Sequence, residues 1–197
     1  EAFVIDAATR DRLIAEDGRS AEVIKPFLAG RDIKRYQVPA VTRFLIYIPW
    51  HFPLHQDATI KGASLEAEQA FKEQYPAIYN HLHSYKIELQ NRNKAETGIR
   101  YEWYALQRWA SEYYKEIPKP KIIIPAIIQR PSMALDDKGV FSNDKTTIVI
   151  SDSRFLLGIL NSSVTNFIMQ KITSTKQGGF FEYKPVYISQ IPIPNAL

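Results

Sequence analysis

The chain has 197 residues, 45% apolar, 12% aromatic and 23% charged, a balance that fits one globular domain, or one with an appendage, and excludes long disorder. It has no cysteine, which excludes disulfide frameworks and thiolate zinc sites, and its longest apolar runs, FLIYIPW and IIIPAII, are about a third of the length that crosses a bilayer. The formal charge is +4, and the stretch from Lys25 to Arg43 carries all of it, with Lys25, Arg31, Lys34, Arg35 and Arg43 set against Asp32. Local charge governs the field at a surface, so such a cluster on a neutral background points to a polyanionic partner; the plain alternative is a solvated turn.

In chain order, Asp6 is placed to cap a helix over AATRDRLIAED, stopped by Gly18, and Ser20 to cap a second over AEVIKPF. RFLIYIPW is rich in β-branched and aromatic residues and reads as a strand, so the basic turn links helix to strand. His51 and His55 have helical ligand spacing, but Pro53 between them breaks the helix that a metal pair requires. Ser64 opens a helix, and Pro76 suits the first turn of another. Phe71, Tyr75, Ile78, Leu82, Tyr85 and Leu89 then build one apolar stripe, with Lys72, Asn80, His83, Lys86, Gln90 and Arg92 on the opposite face. After the aromatic-dense RYEWYALQRW come strands KIIIPAII, SMAL and TTIVIS with a turn at DDKG, which predict an antiparallel or mixed sheet. SRFLLGILNSSVTNFIMQKI is helical, with Phe155, Ile159, Leu160, Val164, Phe167 and Ile168 facing inward and Asn161 and Ser162 as a point of interruption. TSTKQGG reads as a flexible cationic loop, and the prolines of YISQIPIPNAL rule out a helix there.

No glycine-rich phosphate cradle, paired-His helix with Glu, or Gly-x-Ser-x-Gly elbow is present, so nucleotide-fold and nucleophilic-hydrolase readings lose their usual support. The triplet Glu182-Tyr183-Lys184 matches half of a metal-dependent nuclease pattern, with Asp152 as a partner that nothing in the sequence brings near. What remains is a set of cations and planar polar groups on turns: Arg31, Lys34, Arg35 and Tyr36; Gln107 and Arg108; Gln129 and Arg130; Lys176 and Gln177. Arg pairs in two-pronged fashion with guanine, Gln with adenine and Lys with phosphate, which makes these candidate DNA contacts. Each group has a structural alternative: Arg108 as a helix-end cap, Arg130 paired with Asp136, Tyr36 as core.

Along almost the whole chain, the blocks FVIDAATRDRLIAEDGRSAEVIKPFLAGRDIKRY, YPAIYNHL, PKIIIPAI, RPSMALDDKGVFSNDKTTIVI, LLGILNSSVTNFIM and GGFFEYKPVYISQIPIP resemble the TaqI-like specificity domain. That module is the C-terminal target-recognition part of adenine-specific DNA methyltransferases and of fused restriction-modification enzymes. The resemblance implies an α+β fold, a mixed, largely antiparallel twisted sheet with packed helices, and residues 1–197 as a single target-recognition domain cut from a longer polypeptide. It also implies sequence-specific recognition of double-stranded DNA in the cytoplasm, clamped against the methyltransferase domain of the same chain, with no membrane partner.

S-adenosylmethionine and the Asn-Pro-Pro-aromatic motif are expected in that missing domain; no cofactor, metal or catalytic residue is expected here, so the segment is not an enzyme by itself. Whether the parent enzyme also cleaves DNA stays open. GRDIKRY reads as the phosphate anchor, with Asp32 orienting Arg31 or Arg35, and the loops around Arg108, Arg130 and Lys176 as the base readers. Trp109, where the family tends to have Pro, and Ala126, where it has a polar or acidic residue, depart from the pattern. The alternative function is a non-catalytic protein-interaction module docking on a methyltransferase or nuclease subunit, which predicts a large apolar surface patch.

Overall fold

The computed structural model describes residues 2–37 and 40–194. Its elements are β1 (Val4–Asp6), α1 (Ala7–Glu16), α2 (Ser20–Val23), β2 (Ile24–Leu28), β3 (Arg43–Ile46), α3 (Leu65–Gln74), α4 (Pro76–His83) and α5 (Lys86–Asn91). They continue with β4 (Lys121–Pro125), β5 (Ile127–Ile128), β6 (Ala134–Asp136), β7 (Phe141–Ser142) and β8 (Thr146–Ile150). Last come α6 (Arg154–Leu160), α7 (Ser163–Ile172), β9 (Thr175–Lys176), β10 (Phe180–Glu182) and α8 (Pro185–Ile188). This α+β arrangement divides into two compact units, Glu1–Pro26 with Thr42–Tyr114 and Phe27–Val41 with Lys115–Leu197.

In the first unit, the Asp6 carboxylate accepts from the Thr9 N–H at 2.8 Å and Ser64 Oγ from the Ala67 N–H at 3.1 Å, each satisfying one orphan donor of a helix start. β1 pairs antiparallel with β3, with Val4 opposite Leu45 and Asp6 opposite Arg43. The predicted stripe is the core: Phe71, Ile78 and Leu82 are fully buried, with Tyr75 and Leu89 close behind. Each such side chain contributes about 1.5–3 kcal/mol relative to exposure. The Phe71 ring meets Tyr104 at 4.6 Å and, edge-on, Phe52 at 5.5 Å, separations at which aromatic pairs attract beyond simple burial.

Two expectations fail here. AEVIKPF is not a helix: α2 stops at Val23 and Ile24–Leu28 extends as β2, because Pro26 has no N–H to give a helix while Ile24, Phe27 and Leu28 bury their side chains. Ser20 is accordingly a buried first residue of α2 rather than its cap. Arg92, placed on the solvated face by periodicity, is half-buried and donates to the carbonyls of Leu89 (3.1 Å), Trp103 (2.8 Å) and Ala105 (2.5 Å); burial pulls its pKa below the usual guanidinium value.

The second unit is built around β4, which is buried along its whole length. It lies between β6 and β8, antiparallel to both, with Ile122 opposite Leu135 and Val149. Strand alternation sends Ile122 and Ile124 to one cluster, with Met133, Leu157, Leu160, Met169 and Tyr183, and Ile123 to another, with Leu28, Ile33, Ala134 and Val140. A strand covered on both faces reads as an unbroken apolar run, as KIIIPAII does. Phe27 and Leu28 of β2 pair in parallel with β7, and β5, β10 and β9 form a further antiparallel sheet.

At the N-terminus of β4 the fully buried Lys121 ammonium donates to the Asp136 carboxylate and to the Ile117 carbonyl at 2.5 Å. Asp136 also accepts from the N–H groups of Lys138 (2.9 Å) and Val140 (2.8 Å), which closes the DDKG turn. Asp136 therefore pairs with Lys121, not with Arg130.

The helical stretch divides at the expected place, α6 ending at Leu160 and α7 beginning after Ser162, whose Oγ caps the Thr165 N–H at 3.1 Å. The break resets the helical phase, so a stripe carried across it misplaces residues of α7: Val164 and Phe167 are exposed, whereas Thr165 and Met169 are buried. In α6 the expected Leu160 is buried, with Leu157, but Phe155 is exposed. TSTKQGG is not a loose loop: Thr175–Lys176 and Phe180–Glu182 make a hairpin turned by Gly178 and Gly179, with φ of +79° and +73°, values that glycine adopts without steric cost. One helical turn, Pro185–Ile188, reaches into the segment whose prolines were expected to exclude a helix; Pro185 at its first position loses nothing by lacking an N–H.

Candidate nucleic-acid interface

The basic turn follows β2 in the second unit. Gly30–Asp32 forms one 3-10 turn in which the Asp32 carboxylate accepts from the Ala29 N–H at 2.7 Å. Close approach demands the glycine: a Cβ on Gly30 would lie 2.7 Å from the Lys145 carbonyl oxygen. A second turn, closed by Gln37 N–H to Lys34 O at 3.1 Å, then presents Lys34, Arg35 and Tyr36, while the Lys34 ammonium donates to Arg31 O at 3.2 Å. Arg35 donates to the Asn161 carbonyl at 2.8 Å and stacks its guanidinium 5.1 Å from the centre of the Tyr36 ring. Tyr36 is 52% exposed and so is not core. Lys25 and Arg43, counted in the cluster from sequence, lie in strands and are half-buried; burial lowers the pKa of Lys25.

Gln129 and Arg130, both exposed, begin the segment that follows β5. At one end Gln129 Nε2 donates to the Gly178 carbonyl at 2.9 Å, tying it to the tip of the β9–β10 hairpin beside Lys176 and Gln177. At the other end the Met133 carbonyl accepts from the Tyr36 N–H at 3.0 Å. The buried Asn161 amide locks the same residue, accepting from Met133 N–H at 2.9 Å and donating to its carbonyl at 3.0 Å. The four steps from Gln129 to Met133 span at most about 14 Å, on the order of the width of the DNA major groove, about 12 Å. Three of the four predicted groups therefore line one short backbone segment of the second unit.

On the hairpin, Glu182 pairs with Lys184 at 3.1 Å and Lys176 at 3.3 Å. The hydrogen bond from Lys184, reinforced by Lys176, holds its carboxyl below the ordinary carboxylate range. The carboxylate is shielded while both ammonium groups stay exposed, so Glu182 orders two cations.

Gln107 and Arg108 belong to the first unit, on a backbone pinned at both sides. Leu106 donates to Ile48 O at 2.9 Å and accepts from Trp50 Nε1 at 2.8 Å, and the Trp109 carbonyl accepts from the Tyr47 hydroxyl at 2.5 Å. No helix of the described residues ends at Arg108, so it caps none. Upstream, the buried Glu102 carboxylate accepts from the N–H groups of His51 and Ser64, both at 2.8 Å, and meets His51 Nδ1 at 2.9 Å. His51 is thereby engaged within the fold.

Asn161, Lys145 and Lys184 lie next to the candidate groups and were not among the DNA contacts singled out from sequence. Asn161 was legible as a helix interruption but not as the partner of Arg35, 126 positions away. Nothing in the sequence brings Lys145 to Gly30.

The model of the TaqI-like C-terminal specificity domain matches residues 25–193. The chain belongs to this family. Among curated relatives of this specificity domain, it is 27% identical over 169 residues to the type II methyltransferase M.MjaIV of Methanocaldococcus jannaschii, covering 83% of this chain and 51% of that protein. A structure of the type IIL restriction-modification enzyme MmeI in complex with DNA shares the fold, with a TM-score of 0.57 and 15% identity over 93% of this chain and 22% of that one. The chain thus spans about half of the first relative and about a fifth of the second. No helix among the described residues is long and apolar enough to cross a membrane.

Proposed function

We propose that this specificity domain recognises a defined sequence in double-stranded DNA and positions a separate adenine-N6 methyltransferase domain, which holds S-adenosylmethionine. In this reading residues 1–197 act in the cytoplasm as one target-recognition module, bind no cofactor and transfer no methyl group unaided. The observation that carries it is that Gln129–Met133 is bonded at one end to Gly178 of the hairpin and at the other to Tyr36 of the basic turn, so that one segment joins two sets of cations and planar polar side chains. Arg31, Lys34, Arg35, Lys145 and Lys184 anchor phosphates; Gln107, Arg108, Gln129, Arg130 and Gln177 are the groups with the planar polar ends that read base edges.

Val164 and Phe167, one turn apart on α7, are each more than 60% exposed and favour a second contact, with the methyltransferase domain. If that contact were the whole function, binding to DNA would be weak and insensitive to salt.

Titrating labelled duplexes at two salt concentrations, with and without magnesium, separates the readings. Arg35→Ala should weaken binding to every sequence and lower the salt slope by about one. Arg130→Ala should cost about 1–3 kcal/mol at one base position. Equal losses across all sequences for both variants would refute the division of roles, and magnesium-dependent cleavage by the chain would restore the nuclease reading.

A further inference from the structure

We propose that Tyr36 is a nucleobase-stacking side chain, presented to an unpaired or unstacked base; this deepens the DNA-recognition reading and rests on it. Lys34–Gln37 is a four-residue turn closed by the Gln37 N–H, and Tyr36 occupies its third position with φ +59°. That place in such turns belongs to glycine or asparagine, because a bulky L-residue with positive φ sets its Cβ against its own backbone. The usual return for such strain is packing of the ring, yet Tyr36 is 52% exposed.

The neighbouring interactions hold the residue outward instead. Its N–H is fixed to the Met133 carbonyl, Met133 is clamped by the Asn161 amide, and Arg35, anchored on the Asn161 carbonyl, lays its guanidinium 5.1 Å from the ring centre. A rigid, exposed, strained aromatic stacked with a cation is a platform for another π-face, and strain retained at an exposed position points to function. Among the classes of nucleic-acid contact, stacking is the one that needs a ring but no sequence.

The test uses the full-length protein carrying this chain and two 30-base-pair duplexes, one fully paired and one with a single unpaired adenine. The wild type should bind the second about 5- to 150-fold more tightly, the range that one stacked base supplies. Tyr36→Phe should keep that preference. Tyr36→Gly, which relieves the strained φ, should abolish it while leaving the melting temperature unchanged or higher. An unchanged preference in Tyr36→Gly overturns the proposal, as does a loss in Tyr36→Phe equal to that in Tyr36→Gly, which would assign the effect to the hydroxyl. Wild type that binds paired DNA without preference overturns stacking alone, whereas wild type that ignores both duplexes at low salt overturns DNA recognition itself.

Discussion

Replacing Asp136 by Asn removes the countercharge of an ammonium that has no access to water. Lys121 is fully buried and Asp136 is 3% exposed, so the lone Lys121 charge would keep the Ile117 carbonyl and a neutral amide as partners. Breaking one side of a buried pair costs about 3–5 kcal/mol, because the remaining charge stays desolvated. The amide also offers one acceptor oxygen where the carboxylate serves Val140 and Lys138 through two. For a chain of this size, about 2–4 °C of melting temperature accompanies each kcal/mol, so the expected drop is roughly 6–20 °C. Lys121→Met should fall in the same range, and Lys121→Met combined with Asp136→Asn should lose far less than the two single losses together, since no charge is left stranded. Thermal or denaturant unfolding of the four proteins measures this. Single variants within about 1 kcal/mol of wild type, or strictly additive losses, would refute the view that desolvation controls the site.

Other outcomes test other parts of the molecule. Gly30→Ala should cost about 1–3 kcal/mol and weaken binding to all duplexes, since its Cβ would displace either the Lys145 carbonyl or the basic turn; unfolding and salt-dependent binding read both effects. Asn161→Ala leaves the buried Met133 N–H without its acceptor, an expected loss of about 1–3 kcal/mol in denaturant unfolding, while the Met133 carbonyl keeps Tyr36. Burial, helped by Arg12 nearby, lowers the pKa of His81, and burial lowers that of His55. Protonation therefore favours the unfolded chain: the contribution is complete above pH 6.5 and disappears as pH falls through the lower folded values. Melting temperatures between pH 7.5 and 5 should decline accordingly, less steeply in His81→Gln.

Local physical chemistry made much of the molecule legible in the sequence. Asp6 and Ser64 mark helix starts through interactions that span three residues, Pro76 marks one through its fixed φ, and the stripe from Phe71 to Leu89 needs only the helical period. The unbroken run of isoleucines in β4 declared a strand covered on both faces. The cations and planar polar side chains proposed for the interface could also be picked out in the sequence, because charge and a planar polar end are properties of the residue type itself.

Their arrangement was not. Asn161 meets Arg35 across 126 residues and Gln129 meets Gly178 across 49, and no local pattern encodes contacts between segments that distant. The same holds for errors of burial: Val164 and Phe167 were placed by a helical period counted from α6, but the capped break at Ser162 rotates α7 relative to that count. Sequence determined which groups the chain has to offer a polyanion; long-range packing decided that Gln129–Met133 joins the basic turn to the hairpin. Loop closure over such separations is set by what the whole core can bury, a quantity no short window contains.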